Sequence, residues 1–166
     1  WFTAVTGILR PSEGATSSMM DGITIKFLVN GVDTGQTAVT ANNAAGGGLD
    51  GEFNLGSTTA VSGDILTFFV DDATVEGVSV TVTNASTLSG FEIIQDTLKV
   101  QYETGSSITA ANLNTANNGD ANITAIYSDA ATLTTAAGTD FLINTGDTFT
   151  PAGAVVIGGD MHVMST

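Results

Sequence analysis

An all-β fold is predicted by three features of this 166-residue chain. Apolar residues recur at alternate positions, short Gly-, Asn- and Asp-rich turns separate them, and helical periodicity is nearly absent. We expect a β-sandwich over residues 1–86 and a second β-rich unit, a sandwich or a short solenoid, over residues 87–166, packed on the first.

The elements follow in order. In the opening run Trp1, Val5 and Leu9 share one face and Phe2, Ala4 and Ile8 the other, so both faces are largely apolar. Ile23, Ile25, Phe27 and Val29 then alternate with Thr24, Lys26 and Leu28. Asn30-Gly31 closes that run, and an Asn-Gly pair between β-runs is a strong hairpin signal. Val32 to Gly35 leads into a strand at Gln36 to Thr40, and a Gly-rich loop, Ala44 to Gly48, precedes another at Leu49 to Leu55. Ile65 to Val70 is apolar almost throughout, as a strand covered on both faces requires. Asp71-Asp72 ends it. Val78, Val80 and Val82 then alternate with Ser79, Thr81 and Thr83.

The segments Gly7-Ile8-Leu9, Val29-Asn30-Gly31, Gln36 to Thr40 and Gly51-Glu52-Phe53 come in the order of a known pattern. This first half resembles the Ig-like, carboxypeptidase-regulatory-like β-sandwiches of bacterial and archaeal surface proteins. The resemblance implies an Ig-like sandwich for residues 1–86 and a place at the cell surface. The Asp50-Gly51 turn fits it, with Asn42 to Gly48 as an inserted loop.

The second half reads as shorter strands: Leu88 to Ile94, Leu98 to Tyr102, Ile123 to Tyr127, Ala131 to Thr135, Phe141 to Ile143, Phe149 and Ala154 to Ile157. Ser107 to Ala116 fits a short strand or a single helical turn equally well. A boundary is expected near Asn84 to Ser89.

Composition narrows the function. Three Lys+Arg stand against 17 Asp+Glu, a net charge of −14, which leaves almost nothing to neutralise phosphates on nucleic acid or an anionic membrane. No apolar run is long enough to span a bilayer as a helix. Without Cys there are no disulfides and no thiolate metal sites. His162 stands alone, and neither G-x-S-x-G nor H-E-x-x-H occurs, so no enzyme is expected. Charged residues make up 12% of the chain, about half the usual share of about 25%, and Thr, Ser, Asn and Gly take their place. That surface suits an extracellular or cell-surface protein. The start at Trp1, with no leader pattern before it, is expected of a processed chain or a piece of a longer one.

Four sets of candidate residues remain. The first is an assembly strand, Trp1, Phe2, Val5, Ile8 and Leu9, expected to add to the sheet of another copy and give a homopolymer, a filament or surface layer. The last strand, with Val155, Ile157, Met161 and Val163 on one face, is a second apolar terminus short of the usual edge protectors. The second set is oxygen ligands for calcium: Asn118, Asp120 and Asn122 in one turn, Asp71 and Asp72 at a strand end. Ordinary turn-making by Asn and Asp competes with that reading. The third is the glycosylation sequons at Asn84 and Asn122. The fourth is an aromatic platform from Trp1, Phe68, Phe69, Tyr102 and Tyr127, which belongs to the rival reading, a glycan-binding or adhesion module of a larger surface protein.

Overall fold

A computed structural model describes residues 5–15, 20–72, 74–84, 87–103, 107–129 and 132–164. The fold is all-β with several β units. Its strands are β1 (Val5–Arg10), β2 (Thr24–Val29), β3 (Val32–Val39), β4 (Glu52–Gly56), β5 (Ile65–Val70), β6 (Val78–Val82), β7 (Leu88–Ile94), β8 (Thr97–Tyr102) and β9 (Ser107–Thr109). Helices α1 (Ala110–Ala116) and α2 (Ala121–Ile126) follow. Then come β10 (Tyr127–Asp129), β11 (Leu133–Thr135), β12 (Asp140–Ile143), β13 (Thr148–Thr150), β14 (Val155–Val156) and β15 (Met161–Val163).

A seven-stranded sheet, in the order β15-β12-β8-β6-β5-β2-β3, forms the middle layer. The β2–β3 hairpin turns at Asn30-Gly31, both with positive φ (50° and 74°), as a tight two-residue hairpin demands. All six residues of β5 are buried, because alternate side chains enter different cores. Leu66, Phe68 and Val70 meet Ile25 and Phe27 on one face, under the smaller sheet β4-β1-β7, which contributes Val5, Leu9, Phe53, Phe91 and Ile93. Ile65 and Phe69 face the opposite way, toward Leu113 and Ala116 of α1, Ile123 and Ile126 of α2, and Tyr127 and Leu133. Gly7 lets the small sheet close, since a Cβ there would overlap the Phe53 ring and the Phe91 carbonyl.

The expected boundary near residue 86 falls inside continuous sheets. β7 completes the small sheet beside β1, and β8 lies parallel to β6 in the large one. The β1–β7, β6–β8, β8–β12 and β12–β15 pairs are parallel. The second half is not a separate sandwich. It widens the first half's sheet and covers its other face.

Local chemistry accounts for two further departures. The expected strand at Ile123 to Tyr127 is helical as far as Ile126, because the Asp120 side chain caps the Asn122 N–H at 2.9 Å. Ser107 to Ala116 is both a strand and a helix, and Thr109 and Asn112 form a capping box at the switch. The expected last strand is split by Gly158-Gly159 into β14 and β15, which lie in different sheets.

Phe68 joins the layers, its ring 4.8 Å from that of Phe27 and 4.3 Å from that of Phe91. Phe68→Ala should cost about 3–5 kcal/mol in urea unfolding, against about 0.5 kcal/mol or less for Val32→Ala on the exposed edge.

Candidate functional site

The opening strand takes a different place from the one expected. β1 is the central strand of its own small sheet, hydrogen-bonded to β4 on one side and β7 on the other. Val5 and Leu9 are wholly buried and Ile8 nearly so. The strand is apolar on both faces because its own chain covers both, so it offers no free edge to another copy. The partner that completes it, β7, lies some 80 residues later, beyond the reach of local pattern. Trp1 and Phe2 lie outside the described residues.

The two candidate calcium clusters do meet, around a cation that the chain itself supplies. Asn122 Nδ2 donates to Asp71 Oδ1 and to Asp120 Oδ1, both at 3.1 Å. Lys26 Nζ lies 3.0 Å from Asp71 Oδ2. The hydrogen bond to Asp71 leads in holding the Lys26 ammonium above its ordinary range; burial opposes it, and the charges of Asp71, Asp120 and Asp33 reinforce it. Asp72 turns away to accept from Thr74, and Asn118 accepts the Asp120 N–H at 3.0 Å. Among the described residues no group of three or more His, Asp or Glu side chains is placed to hold a metal ion. A glycan on Asn122 Nδ2 would replace one of its two N–H groups and so cost at least one of these bonds. The Asn84 N–H donates to Glu103, and the rest of that sequon lies outside the described residues.

The other two cations share one carboxylate. Glu92 on β7 receives the Arg10 guanidinium from β1, and Lys99 Nζ from β8 at 2.8 Å. The Lys99 side chain is only 5% exposed. Burial pushes the Glu92 carboxyl up, but the hydrogen bonds and charges of Lys99 and Arg10 outweigh it and hold it below the ordinary range. Sequence reasoning passed over Glu92. The available signal was a lone acid inside the otherwise apolar end of Leu88 to Ile94. Every Lys and Arg of the chain is thereby spent on an internal pair.

The aromatic platform does not form as expected. Phe68, Phe69 and Tyr127 are buried in the cores, and the Tyr127 hydroxyl donates to the Leu113 carbonyl at 3.0 Å. Tyr102 is half-buried against one core, and Trp1 is outside the described residues. A hollow of about 270 Å³ beside β15 is lined by Glu13, Asp96, Asp140 and His162; the His162 ring nitrogen Nδ1 is 3.4 Å from Glu13.

Among the described residues, what remains open is the outer edge of the large sheet. Phe141 N–H donates to the Asp160 carbonyl, and Met164 N–H to the Ile143 carbonyl. With Leu142 opposite His162, the parallel ladder uses residues 160, 162 and 164, and the main-chain groups of Met161 and Val163 point away from the sheet. Their side chains are 54% and 60% exposed. The opposite edge, β3, is interrupted by a register shift against β2. No family model, curated protein or solved structure matches this chain. Among the described residues no helix is long and apolar enough to cross a membrane.

Glu92→Gln should destabilise the protein by about 2–3 kcal/mol at neutral pH, because it leaves Lys99 buried without a counter-charge. The folded-state value of Glu92 is depressed, so its contribution is complete above the ordinary Glu value of about 4.3 and is lost as pH falls through the lower folded one. Urea unfolding of both proteins should therefore show the gap closing in acid. A gap independent of pH would mean that the charge does not matter.

Proposed function

We propose that the chain is a structural subunit rather than an enzyme, and that it joins copies of itself by strand addition at β15. One observation carries this reading. Among the described residues β15 has no neighbour on its outer side; Met161 and Val163 are exposed there with outward main-chain groups, and the strand has neither the Lys nor the Pro that keep natural edges apart. The assembling terminus is thus the last strand instead of the first. The bulge makes β3 the poorer acceptor, so two copies meet β15 to β15. Each such pair extends one sheet through both molecules and closes as a two-fold dimer, and an extracellular layer or filament built from it needs a second, different contact between dimers.

Electrostatics sets the conditions. Two copies at −14 each repel, while edge pairing acts only at contact. Salt screens the repulsion over about 10 Å at 0.1 M and leaves main-chain hydrogen bonds intact. Association should rise with ionic strength, the reverse of a contact built on ion pairs. A low-lysine, Thr-rich exterior suits an extracellular or cell-surface setting. No observation on the fold favours the glycan-binding alternative.

Light scattering after gel filtration tests the proposal. Dimers or larger species should grow with added NaCl, and Met161→Pro, which deletes an outward N–H without adding charge, should return the protein to monomer with an unchanged melting temperature. A monomer at all salt concentrations and at high protein concentration would overturn it.

A further inference from the structure

The loop between β3 and β4 closes on a buried carboxylate that has no cation as its partner. Glu52, the first residue of β4, is 3% exposed. Its Oε2 accepts the N–H groups of Ala45 at 2.9 Å and Gly47 at 3.2 Å, and its Oε1 accepts that of Leu49 at 3.2 Å. The same residue's carbonyl accepts the Ala41 N–H at 2.9 Å, and Asn43 N–H donates to the Leu49 carbonyl at 3.0 Å. Residues 41–52 thus form a small closed loop gathered round one side chain. A Cβ at Gly47 would run into Oε1, so a larger residue there would push the carboxylate aside.

The loop has something to cover. Ala45, Gly47 and Leu49 wall a hollow of about 310 Å³ whose floor includes Thr6 and Ile8 of β1 and Ser89 and Glu92 of β7. An ionised carboxylate only accepts hydrogen bonds, and so matches a ring of N–H donors; a protonated one turns a donor toward them. We propose that Glu52 is a proton-operated latch: ionised, it holds residues 44–49 down as the wall of this hollow, and protonation releases that wall while both cores stay folded, opening the outer face of β1 and β7.

The other charged groups nearby are already satisfied. Arg10 and Glu92, across the hollow, pair with each other. Asp50, in the loop, accepts from Asn42 Nδ2, and Asp21, from the turn before β2, accepts the Gly51 N–H at 2.7 Å. Burial pushes the Glu52 carboxyl up, but the N–H groups of Ala45, Leu49, Gly47 and Gly46 outweigh it, and the net shift is downward. A depressed group stabilises the closed form fully above the ordinary carboxylate range and loses that effect as pH falls through its folded value. The latch therefore opens in acid, below about 4.3.

Amide hydrogen exchange on the full chain, corrected for intrinsic rates, tests this. In the wild type, protection at Ala45, Gly47 and Leu49 should fall about tenfold or more on acidification, the scale of one charged hydrogen bond, while amides of β5 and β6 keep theirs. Glu52→Gln should show the same loss at neutral pH, which separates Glu52 from Glu92, since Glu92 stays ionised there. The proposal fails if the three loop amides keep their protection in acid, if they lose it only together with β5 and β6, or if the folded Gln variant protects them as the wild type does. Should that variant not fold, the wild-type titration decides alone.

Discussion

The structure depends on burying β5 from both sides. Its six residues send Leu66, Phe68 and Val70 into one core and Ile65 and Phe69 into the other, and an apolar face left open to water would cost about 25 cal/mol for each Å². A sheet with such a strand at its centre needs two covering layers. The small sheet supplies one, and the helices with their short strands supply the other. Even the polar member of the strand is used: Thr67 donates its hydroxyl to the Ala116 carbonyl at 3.1 Å, satisfying the end of α1 from the sheet below.

Two covers on one sheet force a particular path on the chain. After β6 it leaves the large sheet, lays β7 beside β1 in the small one, and returns as β8 alongside β6. That excursion is why β6 and β8 run parallel, since a parallel neighbour needs a crossover rather than a hairpin. The three basic residues sit at the seams this path creates. Arg10 and Lys99 converge on Glu92 and tie β1, β7 and β8 together; Lys26 ties β2 to the end of β5, and through Asp71 to Asn122 of α2. With the positive charge drawn inward, the exterior is left to acids, hydroxyls and amides.

Much of the large sheet was legible in the sequence, and the reasons are local. The Asn30-Gly31 hairpin rests on two residues that tolerate positive φ, and the two-sided burial of β5 follows from an unbroken apolar run. Alternation placed Val78, Val80 and Val82 on one face of β6, as found. The failures come from contacts distant in sequence or from single capping side chains. Nothing near β1 announces β7. Asp120 turned an apparent strand into α2, because one carboxylate on an N–H outweighs a weak β pattern over Ile123 to Tyr127. The metal reading put Asp71 in one cluster and Asp120 and Asn122 in another, and pattern alone shows neither that the two meet nor that Lys26, on another strand, pairs with Asp71 beside them. Glu52 and Glu92 were missed for a related reason: a carboxylate in a β-run resembles a solvent-facing residue until its donors are known.

The two ends of the chain show how tertiary context decides the fate of similar sequences. Both carry apolar residues with little charge, and pattern alone assigns both to edge pairing. β1 acquires β4 on one side and β7 on the other, so every ladder bond it can make is made within the molecule. Among the described residues β15 acquires only β12, and its register gives residues 160, 162 and 164 to that neighbour. An exposed N–H on such an edge is hydrated, so pairing exchanges water for main chain at a gain of about 0.5–1.5 kcal/mol a bond. The exposed side chains of Met161 and Val163 add apolar burial to that gain. A three-residue edge is short, and a contact of this size between two anionic molecules is weak and sensitive to salt. If β15 pairs as proposed, that weakness makes the pairing reversible, set by protein concentration and ionic strength.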